Sequence, residues 1–157
     1  MAIVLARVDD RLVHGQVLTG WVRELDARRI VVVDDAVARD GILREVIELA
    51  APPDVDVEVR DVAGAVARLS ELATDRERTI LLVRSPATAL ALRRAGAPLR
   101  ALNVGGVGAG PGRRRVHRTI SLSPAEIADL RELEQLGTTV ELRITPADRA
   151  VPLVAVA

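Results

Sequence analysis

The segment Arg7-Val8-Asp9-Asp10-Arg11-Leu12-Val13-His14-Gly15-Gln16-Val17 holds an imidazole, two guanidinium groups and two carboxylates within eleven residues. The histidine lies past an apolar run, three residues after an arginine and just before a stretch of helical period. This is the make-up of a phosphate site. The first amides of a helix lack intrahelical partners, and the helix dipole is positive at that end. Gly15 lets the main chain approach an anion closely, and Arg11 offers a forked pair of donors. Neighbouring positive charge disfavours imidazolium, so His14 is expected to be neutral with a nitrogen lone pair available. Such an imidazole can accept a phosphoryl group and pass it on. Asp10 is placed to orient Arg11 or His14. On composition alone a plainer reading is favoured, with Asp9 and Asp10 as exposed loop acids and His14 bonded within its own loop.

The elements that must position these residues follow from the hydrophobic pattern. Ile3–Val8 reads as a strand and Gln16–Leu25 as a helix, with Val17, Leu18, Trp21, Val22 and Leu25 along one stripe. Ile30–Val33 is a β-branched strand ended by Asp34 and Asp35. Ile42, Leu43, Val46, Ile47 and Ala50 recur at helical spacing until Pro52-Pro53 stops the helix. Val55–Val59 alternates valine with acids, the mark of a strand near a sheet edge. Val62, Val66, Leu69 and Leu72 give another helix, and Thr79–Val83 another strand. Ser85-Pro86 caps a helix that runs through Ala95, ahead of a strand at Leu99–Val104. Gly105–Gly112, with five glycines and a proline, reads as a loop, and Val116–Leu122 as one strand. Ser123-Pro124-Ala125-Glu126 is a capping box that opens a helix closed by Gly137, and Val140–Ile144 is the last clear strand.

Strands alternating with helices imply right-handed crossovers: an α/β fold with one doubly wound, mostly parallel sheet and helices on both faces. In such sheets ligands bind beyond the carboxyl ends of the strands. That rule brings Asp9–Gly15 together with Asp34-Asp35, Asp61, Arg84-Ser85 and Asn103–Gly106. Ser85 is placed either to donate to the phosphoryl group or to serve only as a helix cap. Asn103, Gly105 and Gly106 are expected to shape the neighbouring loop. Gly105–Gly112 lacks the lysine of a nucleotide-binding phosphate loop.

Composition removes several other classes. The chain has 157 residues, 49% apolar and 28% charged, which suits a single domain over residues 1–157 rather than a disordered chain. A domain of this length buries roughly 70% of its unfolded surface. No apolar run approaches the roughly 20 residues of a membrane span, and the N-terminus is too short and acidic for a signal peptide. The absence of cysteine excludes disulfides and thiolate metal sites, and His117 has no second ligand at useful spacing. No metal or organic cofactor is expected. Net charge is zero, yet eight arginines and no acid lie between Arg84 and Arg118, which suggests a positive face. Nucleic-acid binding is disfavoured, since Trp21 is the only Phe, Tyr or Trp residue.

The string ARVDDRLVHGQVLTGW resembles the active-site loop of the mannose/fructose/sorbose family of cytoplasmic B-components of the bacterial sugar phosphotransferase system. Ile30–Asp34, Ala51-Pro52-Pro53-Asp54-Val55, Leu102-Asn103-Val104-Gly105-Gly106 and Ile120–Glu126 resemble family segments in the same order, so the likeness runs from Ile3 to about Ile144. It implies that His14 receives a phosphoryl group on Nδ1 from the phosphohistidine of an A-component. The group then passes to a sugar carried by membrane-embedded C and D components, beside which the chain would work as a cytoplasmic, peripheral phosphotransferase. Arg11 and the amides around Gly15 and Gln16 would hold the phosphoryl group. The same residues also suit a phosphorylatable regulatory module uncoupled from transport. The basic stretch Val107–Arg115 departs from the family pattern, and the apolar tail Thr145–Ala157 suggests an added edge strand or a subunit contact within a homo-oligomer.

Overall fold

The structure is a computed structural model that describes residues 2–157. Strand β1 (Ile3–Asp9) leads into a helical segment whose central part, Val17–Val22, is a π-helix. Strand β2 (Arg29–Val33) is followed by two short helices, α1 (Asp35–Arg39) and α2 (Gly41–Leu49). Then come β3 (Asp56–Arg60), α3 (Val62–Leu72), β4 (Thr79–Val83), α4 (Pro86–Arg94) and β5 (Ala101–Gly106). A hairpin of β6 (Arg114–His117) and β7 (Ile120–Leu122) precedes α5 (Pro124–Gln135), β8 (Thr139–Leu142) and β9 (Val151–Pro152).

Among the described residues the main sheet has seven strands in the order β3-β2-β4-β1-β5-β8-β9. Every pairing in it is parallel except β8 with β9. Strand alternation builds a core on each face. Val31, Val33, Leu81, Val83 and Val104 point toward α3, α4 and α5, while Ile30, Val32, Ile80 and Leu82 point toward the π-helix, α1 and α2. The sheet is therefore doubly wound as the periodicity predicts, with β3 at one edge. The apolar tail supplies β9 at the other edge.

Four local expectations are corrected. Gly105 and Gly106 belong to strand β5 rather than to the loop that follows it. Val116–Leu122 is not one strand: the chain reverses at Arg118-Thr119, with Arg118 at φ +48°. The helix after β1 is widened to π geometry, a distortion common near functional sites. The apolar stripe of α2 is only partly used. Ile47 is 9% exposed, whereas Ile42 is 79% exposed and Val46 and Leu49 also face outward.

Candidate functional site

Arg7 and Asp9 lie two residues apart on β1, so their side chains leave the same face of the strand. Both are buried, at 1% and 0% exposure, in a sheet otherwise built of apolar groups. The neighbouring strand makes the room. Register places Arg7 opposite Asn103 and Asp9 opposite Gly106, with an irregularity between Val8 and Asp9. A Cβ on Gly105 would overlap the Arg7 guanidinium, and one on Gly106 would overlap the Asp9 carboxylate. The Asn-Val-Gly-Gly run of β5 is thus the mould for a buried ion pair.

Arg7 has several polar partners, as a buried guanidinium must. Its Nη1 donates to Asn103 Oδ1 at 2.6 Å and to the Arg143 carbonyl at 3.0 Å, and its Nε donates to Asp9 Oδ2 at 3.3 Å. Asn103 Nδ2 donates to the same Arg143 carbonyl at 3.1 Å. The ring of Trp21 lies 5.3 Å from the guanidinium carbon of Arg7 and 5.3 Å from that of Arg143, and the indole N–H donates to Ile144 O. Burial pulls the Arg7 guanidinium below its ordinary pKa, the Asp9 carboxylate acts in the opposite direction, and Arg11 lowers it slightly further.

Asp9 organises the loop that follows. Its Oδ1 accepts the Arg11 backbone N–H at 3.1 Å, its carbonyl accepts the Leu12 N–H at 3.0 Å, and its Oδ2 lies 2.9 Å from Nε2 of His14. Leu12 occupies the left-handed region at φ +56°, a strained conformation for a branched residue, and its buried side chain holds it there. The histidine side chain is 14% exposed. Because an ionised carboxylate only accepts, the ring nitrogen facing Asp9 must carry the proton. Nε2 is therefore committed as a donor, and in the neutral ring Nδ1 is the nitrogen that carries the lone pair. A carboxylate sets this tautomer, where the sequence suggests a surrounding positive rim. The plainer reading of Asp9 as an exposed loop acid fails.

Asp10 has a different task from the one expected. Its N–H donates to the Gly106 carbonyl at 2.6 Å, and its carboxylate accepts the Gly108 amide at 3.1 Å. It ties the histidine loop to the end of β5 and orients neither Arg11 nor His14. The Arg11 side chain is 55% exposed, with Nη2 donating to Gln16 Oε1 at 2.9 Å. The first intrahelical bond runs from Leu18 N–H to His14 C=O, so the amides of Gly15 and Gln16 stand in the unpaired first turn. A Cβ on Gly15 would meet no protein atom, so its bareness serves approach from outside. The Ser85 hydroxyl accepts the Thr88 amide as the cap of α4. That is the cap reading.

The loop, the end of β5 and the hairpin tip surround a cleft of about 510 Å³. Arg11, Gln16, the glycine-rich backbone after Asn103, Arg118, Thr119 and Thr145 line it. The expected positive face is otherwise dispersed. Arg84 pairs with Asp34, Arg94 with Glu132 and Arg113 with Glu126. Among the described residues there is no cluster of three or more His, Asp or Glu side chains suited to a metal ion, and no helix long and apolar enough to cross a membrane. The parts played by Arg7 and Arg143 escaped the sequence reading, which placed Trp21 on the buried stripe where it lies. The available signal was a charged Arg-x-Asp pair in a strand of otherwise apolar pattern.

The arrangement combines, within one loop, a histidine whose Nε2 is taken, first-turn amides without intrahelical partners and an exposed guanidinium. The family model of sorbose-subfamily IIB components of the phosphotransferase system matches residues 3–156. A sorbose-specific EIIB component of Lacticaseibacillus casei is 37% identical over 155 residues, covering 99% of this chain and 94% of that protein. The mannose-specific EIIAB component of Escherichia coli K12 is 35% identical over 94% of this chain and 46% of its own length. The crystal structure of the IIBSor domain of the sorbose permease from Klebsiella pneumoniae superposes with a TM-score of 0.89 at 36% identity, covering 99% and 95% of the two chains.

Proposed function

The chain belongs to the sorbose subfamily of phosphotransferase-system IIB components, and from that premise we propose that His14 carries the phosphoryl group on Nδ1. The observation that supports this most is the 2.9 Å contact between Nε2 and Asp9, which leaves Nδ1 as the ring's nucleophile. The Nδ1 lone pair attacks phosphorus of a phosphohistidine on the A-component. A new N–P bond forms, and the old one breaks with its electron pair returning to the donor imidazole. The ring of His14 is then cationic, and Asp9 balances that charge while keeping the proton on Nε2.

This proton governs the second half of the reaction. When a sugar hydroxyl attacks phosphorus, the Nδ1–P bond breaks and the ring departs as neutral imidazole rather than as costly imidazolate. The recovered Nδ1 lone pair can take the proton that the hydroxyl gives up. Arg11 and the Gly15 and Gln16 amides hold the charge spread over the phosphoryl oxygens, acting by position and electrostatics. Arg7 holds the Asp9 carboxylate in place without touching the reacting atoms. The acceptor is a sugar presented by membrane IIC and IID components at the cytoplasmic surface. No cofactor enters this chemistry.

The test is to mix the purified chain with phosphoenolpyruvate, the general phosphotransferase components and an A-component, then map acid-labile phosphate. Label at His14 that disappears in His14→Gln, with an unchanged circular dichroism spectrum, is the expected result. Persistent labelling of that variant overturns the assignment.

A further inference from the structure

Resting on that reading, we infer that Arg118 at the β6–β7 turn is a second arginine for the phosphoryl group, exchanging Asp148 for it once His14 is loaded. Four features converge on this exchange. The first is position: Arg118 and Thr119 line the same cleft as Arg11, Gln16 and the end of β5. The second is the supply of donors. In the resting site Arg7 is matched by Asp9, and Arg113 by Glu126 and Asp10. Arg11 donates from its fork to a neutral group, Gln16 Oε1, and its Nε lies 3.9 Å from Asp9 Oδ1. A phosphoryl group brings close to two negative charges spread over three oxygens, more acceptor sites than the fork of Arg11 alone can occupy.

The third feature is that the Arg118–Asp148 pair is built to be exchanged. It measures 2.9 Å, but the Arg118 side chain is 57% exposed. An exposed pair of this kind contributes little, and a dianion at a cleft wall competes well with it. Asp148 does not depend on it either. Its other oxygen accepts the Thr145 amide at 2.8 Å, and that bond is the main reason its carboxyl lies below the usual range, with Arg118 second. After the exchange Asp148 stays ionised and still holds its own turn.

The fourth is the backbone. Arg118 sits at φ +48° in a two-residue reversal between His117 and Ile120, a conformation that an L-residue other than glycine adopts only under constraint. The contrast with Arg113 is instructive. Its Nε and Nη2 both engage Glu126 Oε1, and its Nη1 donates to the Gly108 carbonyl. Arg113 is locked into the scaffold, while Arg118 stands at the rim with one replaceable partner. The two arginines on either side of β6 thus divide into a strut and an arm. On loading, the arm leaves Asp148 and closes the hairpin tip over the phosphoryl group.

Two variants with opposite expected signs provide the test. Phosphorylated A-component is mixed with the full chain, and the ratio of the two phosphoproteins is measured at equilibrium by ³¹P NMR. Arg118→Gln should shift the ratio toward the donor by about tenfold, the scale of one charge-assisted contact. Asp148→Asn releases the arm and should shift it toward this chain, by about two- to fivefold given the weakness of an exposed pair. A purely structural Arg118–Asp148 pair would move both variants in the same direction, and that outcome, or no shift in either, overturns the inference. His14 would still label in that case, whereas failure of the wild-type chain to label at His14 overturns the earlier reading instead. If Arg118→Gln fails to fold, Arg118→Lys and Asp148→Asn decide the matter, the lysine keeping part of the effect.

Discussion

Two clusters of arginine and carboxylate, in separate parts of the sheet, do different things. At the β3 edge, Glu58 accepts Arg68 at 2.6 and 3.0 Å and Arg60 at 3.1 Å, with Arg29 at 3.5 Å. Arg29 also reaches Asp75 at 2.9 Å and Glu77. These partners are redundant and partly hydrated, so losing one leaves others in place. At the carboxyl end of β1, one buried carboxylate serves a guanidinium, an imidazole and a loop amide, with the Arg11 Nε farther off at 3.9 Å. The first cluster ties an edge strand to its neighbours. The second converts a strand end into a site, because every contact of Asp9 also fixes something His14 needs.

The contrast is broken most forcefully at Asp9. Asp9→Ala should leave Arg7 buried without its counter-charge and cost about 3–5 kcal/mol. Urea denaturation should show that loss alongside a collapse in phosphoryl transfer. Gly105→Ala forces a methyl group into the space of the Arg7 guanidinium and should cost about 1–3 kcal/mol, read by the same denaturation curves. Arg11→Lys replaces the fork with a point charge. It should slow transfer by more than about tenfold, roughly 1.4 kcal/mol, in a stopped-flow assay while the melting temperature stays unchanged.

Glu58→Gln, at the other cluster, should cost less than about 1 kcal/mol near neutral pH. Its carboxyl lies below the ordinary value, first through hydrogen bonding to Arg68 and then against the opposing effect of burial. A depressed folded value means that the ionised group stabilises the fold above pH 4.5, its ordinary value, and that the contribution is lost as pH falls through the lower folded value. The difference between wild type and Glu58→Gln should therefore be present at pH 6 and fade in strong acid. A difference that grows on acidification would contradict this sign.

Much of this architecture was legible from period alone. Ile30–Val33 and Thr79–Val83 read as buried strands because both faces of a parallel sheet are covered, and the Ser123 capping box marks the start of α5 directly. His14 and Arg11 stood out by residue type and spacing. Asp9 and Arg7 did not, because their meaning lies in register: only the pairing of β1 with β5 brings them against Asn103, Gly105 and Gly106. The same glycines, taken as a loop from composition, are the part of a strand that makes space for charge. The turn at Arg118 was hidden because no glycine marks its positive φ. The exposed side of α2 shows the converse, an apolar period that the fold buries on one flank only.

The central claim concerns which ring nitrogen of His14 is free, and ¹⁵N-labelled imidazole in the phosphorylated chain reports it directly. Phosphorus coupling to Nδ1, with a proton retained on Nε2 and lost in Asp9→Asn, is the predicted spectrum. Phosphorus coupled to Nε2, which would require the Asp9 contact to be broken, would contradict it.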